Sequence, residues 1–261
     1  MKKNIMISGA GGILGKSFIS KLLNEGNRVF ASEINENAVS KLQDLFSNNK
    51  SFNVSKCNVG SENDIQSWFE EVLANGEIDV VINNASITSE FLRSINEIPD
   101  SFEETSLDSW NISMQTNLTG AFLIAREFGK YIQSKQEIIS TKKLINLASM
   151  YALNGPDHSI YEGTSIKSFA AYSSSKAGII GLTKWLSTYW GKNNVTVNAL
   201  APGGVFNNHE EKFKNRLEKK IPLEKMASPE EIASVLSFLV SDSSNYISGQ
   251  VLYADGGYTA L

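Results

Sequence analysis

The sequence contains few of the residues that build disulfides and metal sites. Cys57 is the one cysteine in 261 residues, which excludes an intrachain disulfide and any site made of several thiolates. The two histidines, His158 and His209, argue against a zinc site as well. We therefore expect neither a covalent cross-link nor a metal centre in this protein.

Excess positive charge and long apolar runs are also missing. The formal net charge is −4 with scattered lysines and arginines, whereas nucleic-acid binding needs a basic face. No apolar run approaches the roughly 18 residues that span a bilayer, and the N-terminal start resembles a signal peptide only as far as Gly9. We expect a cytoplasmic protein that takes a small-molecule substrate and binds neither nucleic acid nor membrane.

The chain alternates between strand-like and helix-like segments, and 41% hydrophobic residues are enough for a sizeable core. Apolar runs predict strands at Ile5–Ser8, Arg28–Ser32, Ser51–Cys57, Ile78–Ile82, Lys143–Ala148, Val195–Leu200 and Gln250–Tyr253. Amphipathic periodicity predicts helices at Lys16–Asn24, Asn63–Ala74, Ser109–Gly129, Tyr131–Gln136 and Pro229–Val240, and one that runs on from Tyr172. With no repeat or linker, this predicts one doubly wound α/β domain over residues 1–261, a Rossmann fold with a central parallel sheet.

The first strand leads into a glycine-rich turn in which Gly9, Gly12 and Gly15 recur every third residue. Glycines let the backbone approach a pyrophosphate, and the N-terminus of the following helix stabilises its charge. The usual G-x-G-x-x-G is not met, because Leu14 takes the sixth position after Gly9 and Gly11. The turn still predicts a dinucleotide site, with a plain structural turn as the alternative.

An acidic residue, Glu33, follows the second predicted strand directly. A carboxylate at this position accepts hydrogen bonds from the ribose hydroxyls of the adenosine and repels a 2′-phosphate. No arginine or lysine lies between Glu33 and Ser40 to attract that phosphate. The pattern favours NAD over NADP, and an exposed surface glutamate is the alternative.

Tyr172 and Lys176 stand four residues apart at the start of a helical pattern, so they share a helix face. The pKa of a free tyrosine is near 10, and a neighbouring ammonium would lower it toward the working range. Such a pair supplies the proton donor and acceptor that carbonyl reduction and alcohol oxidation need. Taken alone, the same spacing is also common in plain surface packing.

Further motifs follow one another in order along the chain. They are Asn83-Asn84-Ala85, Thr116-Asn117-Leu118-Thr119-Gly120, Ser149, Asn198-Ala199-Leu200-Ala201-Pro202-Gly203, Pro229-Glu230-Glu231-Ile232 and Asp255-Gly256-Gly257. With the glycine turn and the Tyr172–Lys176 pair, they resemble the short-chain dehydrogenase/reductase family in its classical, compact form. The resemblance runs from Ile5 to Tyr258 and implies a nicotinamide-dependent oxidoreductase that acts on a CH–OH group.

The resemblance implies a role for each of four residues. Tyr172 would be the catalytic acid and base, and Lys176 would lower its pKa and hold the nicotinamide ribose. Ser149 would hydrogen-bond the substrate oxygen, and Asn117 would hold a water that connects Lys176 to solvent.

The resemblance also implies the residues that hold the cofactor. They are Gly9, Gly11, Gly12, Ile13, Leu14, Gly15, Glu33, Asn58, Val59, Asn84, Ala85, Ser86, Tyr172, Lys176, Pro202, Gly203 and Val205. Four positions depart from the family pattern: Ile13 and Ser86 replace glycines, Asn58 an aspartate and Asn207 a threonine. In the family that aspartate accepts a hydrogen bond from the adenine amino group, and the amide oxygen of Asn58 can still accept it. The threonine helps to hold the carboxamide of the cofactor, so Asn207 makes this contact less secure.

The stretch between Ser149 and Tyr172 is longer than in compact members of the family, through an insertion at about 154–168. Loops of this length are usually functional or disordered. The insertion most resembles oxidoreductases of flagellin glycosylation and legionaminic-acid-type pathways. We predict that it contributes His158 and Tyr161 to the substrate site beside Ser149 and Tyr172, while residues at about 203–225 cover the substrate. The alternative for the insertion is an oligomer contact or a mobile flap.

Three functions therefore compete at this stage. The leading one is an NAD-dependent oxidoreductase for a sugar-like, polar alcohol or ketone. Reduction of a 3-oxoacyl thioester, or oxidation of a simple polyol, would use the same residues on another substrate. The third, an NAD-sensing protein without activity, would have lost the serine, tyrosine or lysine, and all three are present. The charged residues from Glu210 to Lys220 are interpreted as a solvated helix face.

Compact members of the family commonly form tetramers through their long helices and the C-terminal segment, so we expect a homodimer or homotetramer here. The helix after Tyr172 carries Trp185, Leu186, Tyr189 and Trp190, more apolar residues than one buried face requires. We therefore predict that this helix is covered in a homo-oligomer. Burial of all four in the core of one chain is the alternative.

Overall fold

A computed structural model describes residues 2–99 and 101–261. Its centre is a sheet of seven parallel strands in the order β3-β2-β1-β4-β5-β6-β7. The strands are β1 Asn4–Ser8, β2 Arg28–Glu33, β3 Phe52–Lys56, β4 Val80–Asn83, β5 Lys142–Leu147, β6 Val195–Pro202 and β7 Val251–Ala254. The predicted doubly wound parallel sheet is confirmed.

Helices cover both faces of the sheet. They are α1 Ile13–Asn24, α2 Glu36–Leu45, α3 Glu62–Leu73, α4 Ser89–Ser94, α5 Leu107–Met114, α6 Gly120–Gln133, α7 Ala170–Trp190, α8 Glu211–Glu218 and α9 Pro229–Val240. Because successive side chains of a strand point to opposite faces, β1 places Met6 in the core under α3 and α6 and Ile5 and Ile7 in the core under α1 and α9. Strands buried on both faces read as continuous apolar runs, which is why the sequence pattern found them.

The helix boundaries differ from the sequence prediction in three places. In place of the two predicted helices at Ser109–Gly129 and Tyr131–Gln136, one continuous helical segment ends at Gln133, and a π-helical turn, Gln115–Thr119, joins α5 to α6 within it. α2 and α4 were not predicted. Each buries only two side chains, so the apolar period is weak, and each starts at a side-chain cap, Asn35 or Thr88.

The strand order places the switch in winding direction at β1, which lies between β2 and β4. At such a point the connections leave toward opposite faces, so a crevice opens beyond the carboxyl ends of the strands. The residues that end β1, β2, β4, β5 and β6 all meet at this edge of the sheet. No helix in the described part of the chain is long and apolar enough to cross a membrane.

The apolar residues of α7 divide between core and surface. Leu186 and Trp190 are buried, at 6% and 4% exposure. Trp185 and Tyr189 are 60% and 51% exposed and stack on each other with ring centroids 4.8 Å apart. The sequence expectation of an uncovered apolar surface therefore applies to two of the four residues.

Candidate active site

A cavity of about 890 Å³ lies at the carboxyl edge of the sheet. Most of the residues predicted for cofactor and catalysis line it: Gly9, Gly12, Ile13, Leu14, Gly15, Glu33, Asn58, Val59, Asn84, Ala85, Ser86, Ser149, Tyr172, Lys176, Pro202, Gly203 and Val205. Four predicted residues lie outside its wall: Gly11, Asn117, His158 and Tyr161. The structure thus brings together segments that are far apart in the chain.

The glycine turn at the end of β1 brings the backbone against the cavity. Gly9 has a φ of +66°, and a Cβ there would lie 2.5 Å from the Cα of Ala85. α1 begins directly after the turn, with no side chain capping its N-terminus and no acidic residue in its first turn. The first N–H groups of α1 are therefore available to an anion, and the helix dipole favours negative charge there.

Asn84 and Ser8 hold the turn against the end of β4. The Asn84 Nδ2 atom donates to the carbonyls of Ser8 and Gly9 at 3.1 and 2.8 Å. The Ser8 Oγ atom accepts from the amides of Asn84 and Ala85 at 3.1 and 3.2 Å. These bonds explain the polar residues after an apolar strand: they fasten the floor of the cavity.

Glu33 ends β2 and lines the cavity on the far side of the glycine turn. One carboxylate oxygen accepts from the amide of Gly11 at 2.9 Å, and the other from the amides of Ile34 and Asn35 at 2.9 and 3.1 Å. The carboxylate is thus fixed in orientation, with lone pairs left for further donors. Gly11 belongs to the site through this contact, although it does not line the cavity.

Asn58 lines the same end of the cavity. Its Oδ1 atom accepts from the amide of Gly60 at 2.9 Å, and its own amide donates to Asp64 at 2.9 Å. Both bonds shape the turn after β3. The bond from Gly60 occupies one lone pair of the Asn58 Oδ1 atom, which the family resemblance implies as the acceptor for adenine.

Tyr172 and Ser149 meet on the opposite wall. α7 carries Tyr172 in its first turn, and Ser149 follows β5, where its Oγ also accepts from the amide of Tyr151 at 3.2 Å. Burial raises the pKa of Tyr172, and a hydrogen bond with Ser149 opposes that rise. A neutral phenol in this position can give a proton to an oxygen held between the two hydroxyls.

Lys176 lies one turn further along α7 and is buried. Its Nζ atom lies 5.6 Å from the centre of the Tyr172 ring and donates to the carbonyl of Leu147 at 2.8 Å. Burial lowers the pKa of Lys176 to about 8. The expected lowering of the Tyr172 pKa by this lysine is not found, because burial dominates the pKa of the phenol.

Asn117 lies in the π-helical turn between α5 and α6 and is buried behind the cavity wall. Its Oδ1 accepts from the amide of Ile87 at 2.7 Å, and its Nδ2 donates to the Ser175 Oγ at 3.1 Å. Asn117 therefore connects the segment after β4 to α7. A π-turn of this kind often marks a functional position, because the extra residue re-aims a side chain.

The insertion at 154–168 does not place His158 or Tyr161 at the cavity, contrary to the sequence expectation. His158 is exposed in a short 3₁₀ turn. The Tyr161 hydroxyl donates to the Tyr151 hydroxyl at 2.7 Å, and the Tyr161 ring packs on Phe213 of α8 at 5.4 Å. The aromatic ring found an apolar partner on a neighbouring helix, which the local sequence does not reveal.

Charged residues of α8 and its ends hold the insertion, which corrects their interpretation as a solvated face. Arg216 donates to the carbonyls of Ser159 and Glu162 at 3.1 and 2.6 Å, and Lys212 donates to that of Gly163 at 3.1 Å. Lys220 pairs with Asp157 at 2.9 Å. The insertion and the segment at 203–225 therefore form one unit over the core of Ile160, Phe213 and Leu217.

Sequence reasoning missed several residues of the cavity wall. They are Ile87, Thr88, Glu90, Phe91, Asn111, Ile112, Asn207 and His209, of which Asn207 was noted only as a departure and His209 only as one of two histidines. The position of Thr88 to Phe91 just after the β4 motif was the available signal, since parallel sheets bind ligands at that edge.

Comparisons with known proteins agree with this geometry. A family model described as enoyl-(acyl carrier protein) reductase matches residues 9–259. The 3-oxoacyl-(acyl-carrier-protein) reductase FabG of Aquifex aeolicus (strain VF5) is 30% identical over 263 residues, covering 97% of this chain and 95% of the relative. Post-translational flagellin modification protein A of Campylobacter coli is 29% identical over 259 residues, covering 98% of both chains.

The same fold recurs in solved structures. A short chain dehydrogenase from Leptospira borgpetersenii serovar Hardjo-bovis (strain JB197) with bound NAD+ matches with a TM-score of 0.85 and 26% sequence identity. The match covers 99% of this chain and 93% of the other.

Proposed function

Because the chain belongs to the classical short-chain dehydrogenase/reductase family, we propose that it is an NAD(H)-dependent oxidoreductase interconverting a secondary alcohol and a ketone on a polar, sugar-like small molecule. One observation carries this proposal. Ser149, Tyr172 and Lys176 line the same cavity as the glycine turn and Glu33, so one cavity contains both a site for an anion and the groups for proton transfer.

The residues present fit a dinucleotide. The uncapped N-terminus of α1 would hold the pyrophosphate, and Glu33 would accept from the ribose hydroxyls of the adenosine. Glu33 also supports NAD over NADP, because its fixed carboxylate repels a 2′-phosphate. Bound NAD(H) would supply or accept the hydride, and the protein contributes position and electrostatics.

The chain's own residues then handle the proton and the substrate oxygen. Tyr172 gives its phenolic proton to that oxygen in reduction and takes it back in oxidation. Ser149 donates to the same oxygen and fixes its distance from Tyr172. Lys176, beneath the phenol, stabilises negative charge on it as the proton leaves, and would hold the nicotinamide ribose. Asn117 would hold a water between Lys176 and solvent.

The substrate class rests on the polar lining of the outer cavity. Thr88, Glu90, Asn111, Asn207 and His209 offer donors and acceptors that a hydroxylated molecule can satisfy. Polar groups disfavour a ligand that displaces water from them and leaves them without hydrogen-bond partners. The similarity to flagellin modification protein A also supports a polar substrate.

A 3-oxoacyl thioester reductase is the second candidate. The relative from Aquifex aeolicus carries that activity in its name. Ile87, Phe91 and Ile112 in the cavity wall would suit an acyl chain. The carboxylate of Glu90 in the same wall disfavours the phosphate-bearing arm that such thioesters carry.

We propose a dimer or tetramer as the working assembly, and the exposed Trp185–Tyr189 stack on α7 supports it. We propose that the protein acts in the cytoplasm, where a diffusible nicotinamide cofactor is available.

A substrate screen tests the proposed function. The protein is assayed by absorbance of the reduced nicotinamide, with NAD+ or NADP+ and D-threitol, xylitol, myo-inositol and gluconate. Acetoacetyl-coenzyme A with NADH or NADPH tests the second candidate. Turnover of a hydroxylated compound that Tyr172→Phe abolishes supports the proposal. Turnover of acetoacetyl-coenzyme A alone decides for the second candidate.

A further inference from the structure

Two polar residues of the cavity wall, Glu90 and His209, have no part in the proton transfer described above. Glu90 lies on α4, after the end of β4, and His209 lies in the segment between β6 and α8. Both line the cavity that holds Ser149 and Tyr172. The Glu90 carboxylate is near enough to raise the pKa of His209, although burial lowers that pKa more. Two chain segments thus bring an acid and an imidazole to one end of the site.

The ring of His209 is held in one orientation. Its Nδ1 atom accepts from the amide of Asn207 at 3.2 Å. The ring also packs on Phe213 and Phe206, with centroids 5.2 and 6.4 Å away. Because Nδ1 is the acceptor in the neutral ring, the proton is on Nε2, and that N–H is a donor.

Glu90 supplies the complementary acceptor. Its carboxylate accepts no hydrogen bond and forms no ion pair within residues 2–99 and 101–261. The nearest basic residue on its own helix, Arg93, donates to the carbonyl of Ser165 in the insertion. Glu90 therefore keeps its full hydrogen-bonding capacity for a ligand, in contrast to Glu33, whose two oxygens accept from backbone amides.

We propose that Glu90 and His209 form a donor–acceptor pair that selects substrates with hydroxyl groups next to the reacting carbon. This inference rests on the proposed oxidoreductase function and names the feature of the substrate that the site recognises. A hydroxyl group donates and accepts at once, so neighbouring hydroxyls can satisfy the carboxylate and the imidazole N–H together. A substrate without them would leave both groups unpaired when water is displaced, which weakens its binding.

The pair also excludes acidic ligands from the outer cavity. Two negative charges at hydrogen-bonding distance repel each other. The selected substrate is therefore a neutral or amino-bearing polyol, sugar or hydroxyketone rather than a sugar acid or a phosphorylated arm.

The test compares Glu90→Leu and His209→Phe with the unaltered protein. Hydroxylated probes are D-threitol, xylitol and myo-inositol, and cyclohexanol and 2-butanol carry the same reacting group without neighbouring hydroxyls. We expect each variant to raise KM for the best hydroxylated probe by about tenfold or more, with little change in kcat. KM for cyclohexanol should fall, because the variants remove the groups that this substrate leaves unpaired, and the Kd for NAD+ should stay unchanged. The KM of Glu90→Gln for the hydroxylated probe should lie between those of the wild type and Glu90→Leu, because glutamine keeps an acceptor oxygen.

A matched control is Glu137→Leu, an exposed glutamate beyond the end of α6, outside the cavity wall. It should leave every constant unchanged, and thermal melts show whether each variant is folded. If the wild-type protein turns over a hydroxylated probe and both variants keep the same KM for it, the proposed role of Glu90 and His209 is wrong while the proposed function stands. If the wild-type protein turns over none of the hydroxylated probes, the polar-substrate proposal fails and the pair with it.

Discussion

The Glu33 carboxylate accepts a 2.9 Å hydrogen bond from the amide of Gly11, and a Cβ at position 11 would lie 2.8 Å from that same oxygen. The two residues therefore depend on each other. Glycine is needed at position 11 because the carboxylate occupies the space of a side chain. Glu33 in turn ties the turn after β1 to the end of β2.

We predict that the protein binds NAD(H) more tightly than NADP(H), because Glu33 repels a 2′-phosphate. Glu33→Ala should narrow the difference and also weaken NAD binding somewhat, since the turn loses its tie. Calorimetric titration with both cofactors gives the two dissociation constants. Gly11→Ala is the control: it disturbs the turn and shifts the Glu33 carboxylate but keeps its charge, so both affinities should fall and the preference for NAD(H) should narrow less than in Glu33→Ala. Equal affinities in the wild type would remove the argument.

Tyr172→Phe keeps the ring and removes the transferable proton. We expect kcat to fall by at least about a hundredfold with little change in the Kd for NAD(H). Tyr161→Phe provides the control, since its hydroxyl bonds Tyr151 outside the cavity wall. That variant should keep kcat within about threefold of wild type. Comparable losses in both would assign the effect to packing of the tyrosine cluster.

Lys176→Met should lower both kcat and cofactor affinity, and it should change how stability depends on pH. Burial lowers the pKa of Lys176 to about 8, whereas an unfolded lysine titrates near 10.4. Between these values the unfolded chain binds more protons, so wild-type stability should rise with pH from about 8 to about 10.4 relative to the variant. Urea denaturation of both proteins across this range measures the difference.

The stability of Lys176→Met must be subtracted from that of the wild type because a second buried lysine titrates in the same pH range. Burial also lowers the pKa of Lys143 to about 8, and its Nζ donates to Ser244. Wild-type stability should also rise with pH relative to Lys143→Met over this range. The Lys143→Met variant should keep its cofactor affinity unchanged. A wild-type curve parallel to that of Lys176→Met would mean that Lys176 is charged in the folded state up to the usual pKa of lysine.

Arg216→Met should loosen the insertion at 154–168, because it loses the bonds to the carbonyls of Ser159 and Glu162. We expect faster proteolysis within the insertion and a higher KM for substrate, with NAD binding unchanged. Lys219→Met, at an exposed position just after α8, is the control. Deleting the insertion should have the same effect on KM. If deletion keeps KM but changes the oligomeric mass, the insertion is an interface between subunits.

Light scattering tests the assembly. We predict a dimer or tetramer at micromolar concentration, and Trp185→Asp should shift the mass toward the monomer because it introduces charge into the exposed stack on α7. Leu45→Asp changes an exposed apolar residue at the end of α2 and should leave the mass unchanged. A monomeric wild type would show that the stack stays uncovered.

Much of the fold was determined by the sequence alone, because its signals are local. Strands buried on both faces are mostly apolar, and the glycines at 9 and 15 mark where the backbone turns closely into a helix. Residues that end parallel strands meet at one edge whatever the loops do. This is why Glu33, Asn84 and the glycine turn could be assigned to one edge of the sheet from their positions, whereas the role of Ser149 came from the resemblance to the family.

The tertiary structure decided what depends on packing between loops. Whether Tyr161 turns toward the cavity or toward Phe213, and whether Arg216 meets water or carbonyl oxygens, is set by how the insertion meets α8. The electrostatic interaction of Glu90 with His209 arises because the fold brings two distant segments together, and the raised pKa of Tyr172 arises from its burial. Contact and desolvation energies of this kind are properties of the folded arrangement, and no local pattern of residues encodes them.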